Sequence, residues 1–467
     1  MTESSEAWPH MTGWEKAKTT ALHTLPALLG GGVMARNRTR AVLNRFTDPA
    51  MVGHFDRVRE KYHGLPVWGP RGTLYLLTEA DAREMLQQSA TVFSTASDEK
   101  LAMLGRMQPD AVILTRGPLR ERRREINDSA LSYHQPVPAD SETLARIAES
   151  VMGDLLSSSM VTGSLSFAAL KSALEKVGRL VCFGSPARDD DELSGLVDAL
   201  RRDGNSFYLK PGAKRRVERN HADLMERIRS YASRAEDFSL AARLSHVPFE
   251  DERKPLGQIP HWLMAMSLMT PIAMRTLTLL DAYPRSLART REELDAADRH
   301  HRRGSAGHLM AQPYFKAVIL DAVRLYPVVP NISRVTTSRA RLGGAEVEED
   351  TPILIPANFL ARGRARGEDA DRFNPDAWIT GEAADSCAYL PFSKGPGSCP
   401  GRDVGMFLLH YTIGALLRRA DFRSRRQMFD PTGPLPKANL LWRSGWSVTE
   451  RTPAPKPTTA VHSYQEG

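Results

Sequence analysis

The stretch Phe392-Ser393-Lys394-Gly395-Pro396-Gly397-Ser398-Cys399-Pro400-Gly401 runs into apolar residues at helical spacing: Val404, Met406, Phe407, Leu408, Leu409, Ile413, Leu416 and Leu417. It is a Gly/Pro-rich loop holding a lone cysteine at the mouth of a helix. There the positive end of the helix dipole and free backbone N–H groups favour a thiolate. The glycines give the backbone freedom that a tight loop needs to pass close beneath a flat group. A thiolate so placed suits axial ligation of haem iron, to which it donates electron density. The competing reading of Cys399 is a buried structural cysteine beside a turn.

That competing reading loses because independent segments agree. The loop resembles the haem-binding signature of the cytochrome P-450 family: Phe, two residues, Gly, three residues, Cys, one residue, Gly. Leu320-Asp321-Ala322-Val323-Arg324-Leu325-Tyr326-Pro327 resembles the family's Glu-x-x-Arg helix, with Asp for Glu. Asp371-Arg372-Phe373-Asn374-Pro375-Asp376-Ala377-Trp378 resembles its Pro-Glu-Arg-Phe segment. The likeness runs from about Arg57 to Leu417 and is strongest in the last third.

Composition is compatible with this. The 467 residues are 41% hydrophobic and 25% charged, enough for a large core. No linker or repeat divides them. Three cysteines, Cys182, Cys387 and Cys399, make no paired framework, which suits a reducing cytosol and a cytoplasmic location. No apolar run reads as a membrane span; the best, Ala21 to Ala35, is broken by His23, Pro26 and Gly30-Gly31-Gly32. A net charge of +8 raises nucleic acid as a partner. The Arg-rich stretches (Arg120 to Arg124; Arg362, Arg364, Arg366) lack interleaved aromatics or a helix-turn-helix pattern, so none is expected. Solvated surface and pairing with haem carboxylates are the better uses. A basic face would also attract an acidic electron donor.

Along the chain, Pro66-Val67-Trp68, a Gly69–Gly72 turn and Thr73-Leu74-Tyr75-Leu76-Leu77 predict a β-hairpin. Thr78 predicts the cap of a helix to about Gln88, and a polar loop follows from Ser94. Helical spacing marks 143–159, 165–183, 191–203, 216–233 and 260–282. Ile332 to Ala340 and Thr351 to Ile355 are strand-like around Gly343-Gly344. The fold class is mainly α with a small β-sheet region. The predicted division is an N-terminal extension at 1–40, one cytochrome P-450-like domain at 41–455 and a disordered tail at 456–467. Met1 to about Gly13 and Thr458 to Gly467 read as frayed ends.

The resemblance implies roles for particular residues. Cys399 is the fifth iron ligand of haem b, with Phe392 packed near the sulfur and Gly395 and Gly401 shaping the loop. The family usually has a basic residue two positions before the cysteine, paired with a haem propionate; here it is Gly397, so that carboxylate must be neutralised elsewhere. Arg334 matches a propionate-binding position. Arg120 and Arg124, one helical turn apart, fall where the family often has propionate-facing His and Arg. Arg116 is a competing register, and a solvated helix face is the competing role. Asp321, Arg324 and Arg372 map onto a structural triad that holds the cysteine loop in shape. Ala265, Leu268, Val328, Val329, Ile332 and the 95–115 loop map onto an apolar substrate pocket.

The helix over the oxygen site departs from the family. Its usual acid falls on Ser267 and its usual alcohol on Leu268, so the pair that delivers protons is missing. Pro271 supplies no N–H and clashes with the carbonyl of Ser267, which predicts a kink there. Ser267 and Thr270 either hold water at that kink or merely back-bond within it. The expected function is a haem-thiolate monooxygenase acting on a small lipophilic substrate in secondary metabolism, with a ferredoxin-type electron donor. The alternatives are peroxide-driven, rearrangement or coupling chemistry at the haem, or a non-catalytic partner protein. The retained cysteine argues against the last.

Overall fold

The computed structural model describes residues 8–26, 38–205, 209–426, 429–438 and 445–451. Among these residues the chain is mostly helical with three small sheets. Local chemistry sets many helix starts. Thr78 takes the Asp81 N–H at 3.2 Å to open Glu79–Gln87, and Ser166 takes that of Ala169 at 3.1 Å to open Phe167–Phe183. The helix Pro313–Leu325 begins on Pro313, whose missing N–H costs nothing there. Its next two N–H groups are capped from outside by the Glu293 carboxylate, at 3.0 and 2.9 Å.

Helices occupy the predicted stretches: Ser141–Thr162, Phe167–Phe183, Asp191–Asn205 and Ala213–Ala232. The main sheet orders its strands Val67–Trp68, Leu74–Tyr75, Pro352–Ile355, Ile332–Thr336 and Phe93–Ser94. Only the second and third run parallel; the first two form the predicted hairpin. Ala340–Leu342 and Ala345–Val347 pair across Gly343-Gly344, whose φ values of 55° and 80° need glycine. Strands Ser164–Ser166, Gly445–Glu450 and Ala420–Ser424 make the third sheet.

The larger apolar core lies among the helices and the smaller one against the main sheet. Arg402–Arg419, the helix after the cysteine loop, packs on Ser141–Thr162, Pro313–Leu325 and Met269–Ala282. Its Phe407, Leu408, Ile413 and Leu416 are fully buried. Each contributes about 1.5–3 kcal/mol by leaving water, which anchors the loop ahead of them.

Four expectations change. Residues from Ser94 are not simply a loop, because Asp98–Leu104 is helical, with Met103 and Leu104 buried. Residues 8–13 do not fray: Trp8 and Met11 pack into the smaller core, and Thr12 and Glu15 form a capping box. The segment Pro255–Ala282 has the length and hydropathy of a membrane span, but 72% of its apolar window is buried inside the protein. It is a core helix in its packing. Arg362 is not solvated: its guanidinium is fully buried, bonded to Asp371 and to the carbonyls of Leu325, Leu435 and Pro436. The predicted tail at 458–467 lies outside the described residues.

The central helix is interrupted by a tightened turn at Ser267 and Leu268, both of which keep right-handed helical dihedrals. Ile259–Met266 ends, Ser267 and Leu268 form a turn, and Met269–Ala282 follows. The Leu268 N–H bonds three residues back to Ala265 at 2.9 Å, a tightened turn. The Ile272 N–H reaches the Leu268 carbonyl only at 3.4 Å. Pro271 at the third position of the second segment gives no N–H, so the break costs little there.

Candidate haem-thiolate site

The loop before Arg402–Arg419 is a tight backbone construction. The Cys399 N–H donates to the Phe392 carbonyl at 2.9 Å, and the Ser398 N–H to that of Gly395 at 2.9 Å. Gly395 has φ +67°, and a Cβ there would lie 2.0 Å from the Leu86 carbonyl oxygen, so no other residue fits. Tyr133 hydrogen-bonds the Ser398 hydroxyl. Arg124 braces the same loop, donating to the Ser398 carbonyl at 2.7 Å while pairing with Asp128 at 2.6 Å. Phe392 and Cys399 remain partly exposed. Burial pushes the Cys399 thiol above its ordinary value, opposed by the Gly401 N–H and by Arg124 and Arg402. A bound metal overrides that balance and takes the thiolate.

Cations without acids surround the loop. Arg334 is buried and donates to Ser89 Oγ at 2.7 Å, the Ser333 carbonyl at 2.9 Å and Ser393 Oγ at 3.2 Å. Burial, with the nearby Arg120 charge, pushes its guanidinium down to about 10. Arg120 is buried, touches only the Pro396 carbonyl at 3.4 Å, and its Nε has no hydrogen-bond partner. Lys100 donates to the Thr95 and Ser333 carbonyls, each at 2.9 Å. Burial and Arg334 push its ammonium down to about 7. None of the three forms an ion pair among the described residues. Arg116 instead bonds the Ala96 carbonyl and leans on the exposed Asp98 and Asp350.

A concentration of positive charge, largely buried and in no direct ion pair among the described residues, is costly unless an anion enters. Among the described residues no three His, Cys, Asp or Glu gather to hold a metal, so Cys399 offers a single thiolate. One protein ligand beside a cradle for anions is the donor set of a macrocycle that brings its own metal ligands and carboxylates. Haem b fits it.

Asp321 and Arg324 meet as expected. Arg324 Nε and Nη2 grip the carboxylate at 2.5 and 3.1 Å, both residues buried. Arg372 does not join with its side chain, which is half-exposed and faces Asp369 at 3.3 Å. Its main-chain carbonyl joins instead, accepting from Arg324 Nη2 at 2.6 Å; the Ala370 carbonyl accepts at 2.8 Å. The shorter Asp321 reaches the Asn374 N–H at 2.8 Å and Trp378 Nε1 at 3.1 Å directly. The shorter acid is thus met by backbone and indole in place of a second guanidinium.

At the break in the central helix, Ser267 donates to the Met264 carbonyl at 2.6 Å, the back-bonded alternative. Thr270 is fully buried and its hydroxyl has no hydrogen-bond partner, which leaves it to bind water or substrate. Ser267 also lines a small cleft with Glu175, Ser194 and Met266. Of the pocket residues, Ala265 and Leu268 keep open surface at the break, Ile332 is buried and Val329 is exposed. Sequence reasoning missed Lys100, a lone lysine in a stretch that reads as polar loop.

A single thiolate, an anion cradle and a broken helix define a haem-thiolate protein. Comparison with known proteins agrees. The family model described as Cytochrome P450 matches residues 271–443, and the likeness supports a cytochrome P450. It is 30% identical over 213 residues to a cyclooctat-9-en-7-ol 5-monooxygenase of Streptomyces melanosporofaciens, covering 44% of this chain and 46% of that one. To the mitochondrial 25-hydroxyvitamin D-1 alpha hydroxylase of Mus musculus it is 29% identical over 215 residues, covering 44% and 41%. The matches span less than half the length of these relatives. A zebra fish cytochrome P450 structure with abiraterone superposes with a TM-score of 0.68 at 18% identity, covering 86% of this chain and all of that one. That likeness establishes the fold.

Proposed function

We propose that this chain is a monooxygenase that takes two electrons from a ferredoxin-type donor and inserts one oxygen atom into a small lipophilic molecule. The observation that carries this reading is the single Cys399 thiol in its braced loop beside two buried arginines, Arg334 and Arg120, and the half-buried Lys100, none of them in an ion pair among the described residues. Haem held there supplies oxygen activation, helped by electron donation from the thiolate. The residues of the chain do the rest. Phe392 would limit water near the sulfur, Arg334 and Arg120 would hold the group by its carboxylates, and Thr270 would hold a proton-bearing water. The Streptomyces relative supports a role in secondary metabolism, and three unpaired cysteines support a cytoplasmic setting.

One observation favours peroxide-driven or rearrangement chemistry as a second reading. Leu268 places no hydroxyl at the alcohol position, and Ser267 is back-bonded. Product formed per reductant consumed separates the two. Ser267→Ala with Thr270→Val should lower reductant-driven turnover by about tenfold or more, as expected for loss of a proton donor. Peroxide-driven turnover should stay near wild type. Tight coupling unchanged by the double substitution would place the proton path elsewhere.

A further inference from the structure

We propose that Lys100 is the counter-cation of a haem carboxylate, taking the role that the family gives to a basic residue at position 397. The inference rests on the haem-site reading above and adds a residue that nothing in the sequence marks.

Two observations meet. First, position 397 has no room for a side chain: a Cβ there would sit 2.4 Å from Ser89 Oγ and 3.1 Å from Arg334 Nη2. Ser89 is fully buried and itself donates to the Phe93 carbonyl at 3.2 Å, so it has nowhere to retreat. The cradle therefore cannot take a cation from position 397. Second, Lys100 and Arg334 share one acceptor, the Ser333 carbonyl, each at 2.9 Å. Two cations on one carbonyl oxygen repel, and burial adds to the cost.

An ammonium has three donors. Two of those on Lys100 are held by Thr95 and Ser333, which aims the charge and leaves one N–H for a ligand. The charged groups acting on Lys100 are Arg334, which repels it, and Glu99, which attracts it without forming an ion pair. A carboxylate from the ligand is the missing partner. Lys100 is a positioning residue: it would hold the cofactor by charge and takes no part in the reaction.

The test compares wild type, Lys100→Met and Lys100→Arg, each loaded with haem or with haem dimethyl ester, whose carboxylates are masked. The readout is the rate of haem transfer to excess apomyoglobin. With haem, Lys100→Met should lose the group about tenfold faster than wild type, and Lys100→Arg should stay within about twofold. With the dimethyl ester, the difference between wild type and Lys100→Met should vanish. Equal retention of haem by Lys100→Met and wild type would overturn the proposal. So would an acceleration that persists with the ester, because Lys100 would then serve only to hold the 95–97 turn against Ser333. Wild type that binds no haem at all would overturn the site reading itself, an outcome distinct from both.

Discussion

Cys399→Ala should abolish the red-shifted Soret band of the reduced carbon monoxide complex, whereas Cys182→Ala and Cys387→Ala should keep it. The three thiols differ in their surroundings. Cys182 is fully buried against Met266, its sulfur 3.9 Å from the thioether, and burial alone pushes its thiol far up. Cys387 is buried beside Lys394, Arg83 and Glu79, and burial pushes its thiol up as well. Only Cys399 combines partial exposure, a backbone N–H from Gly401 and two flanking arginines. A metal drawing a thiolate from this chain finds the lowest cost there. Absorption spectra of the three variants decide the matter; imidazole-type ligation in the wild type would sink the assignment.

Arg324→Ala should yield mostly apoprotein or aggregate. Its guanidinium is the hub between Asp321 and the carbonyls of Ala370 and Arg372. Removing it strands a fully buried carboxylate, at a cost of about 3–5 kcal/mol, a large part of the stability of an ordinary domain. The contrast is Arg372→Ala. That side chain is half-exposed, and among the described residues its ion pair is to an exposed Asp369, so the change should stay within about 0.5 kcal/mol. Haem content and urea midpoints of the two variants measure the difference. Ordinary stability in Arg324→Ala, or collapse in Arg372→Ala, would contradict the geometry.

The pair shows where sequence reading stops. Asp321 and Arg324 are three apart on one helix, so their meeting is a local fact. The third member depends on how the 370–374 segment folds back onto that helix, and there the backbone carbonyl of Arg372, not its side chain, turned inward. Likewise the Thr78 cap, the hairpin at 67–75 and the cysteine loop were legible because turn and cap chemistry is local. Arg362 reads as one of three surface arginines, yet packing against Leu435 and Pro436, over 70 positions away, buries it. The Pro271 effect was legible as a kink. The tightened turn at Ser267 and Leu268, where both residues keep right-handed helical dihedrals, was not. Trp8 and Met11 were missed too: a terminal segment has no periodicity to show that a sheet awaits it.

The crowding at Gly397 has a consequence for protein engineering. Replacing unusual residues by the commonest family choice is a standard route to stability, since most such changes relieve accumulated damage. At position 397 the route should fail: Gly397→His or Gly397→Arg would drive a side chain into Ser89 and displace Arg334, trading a held cation for a clash of about 1–3 kcal/mol. Expression yield and haem content of the variant would show it. The basic residue becomes tolerable only once Ser89 has shrunk and Arg334 has given way, so the positions are epistatic, and a library that varies position 397 singly will record it as immutable.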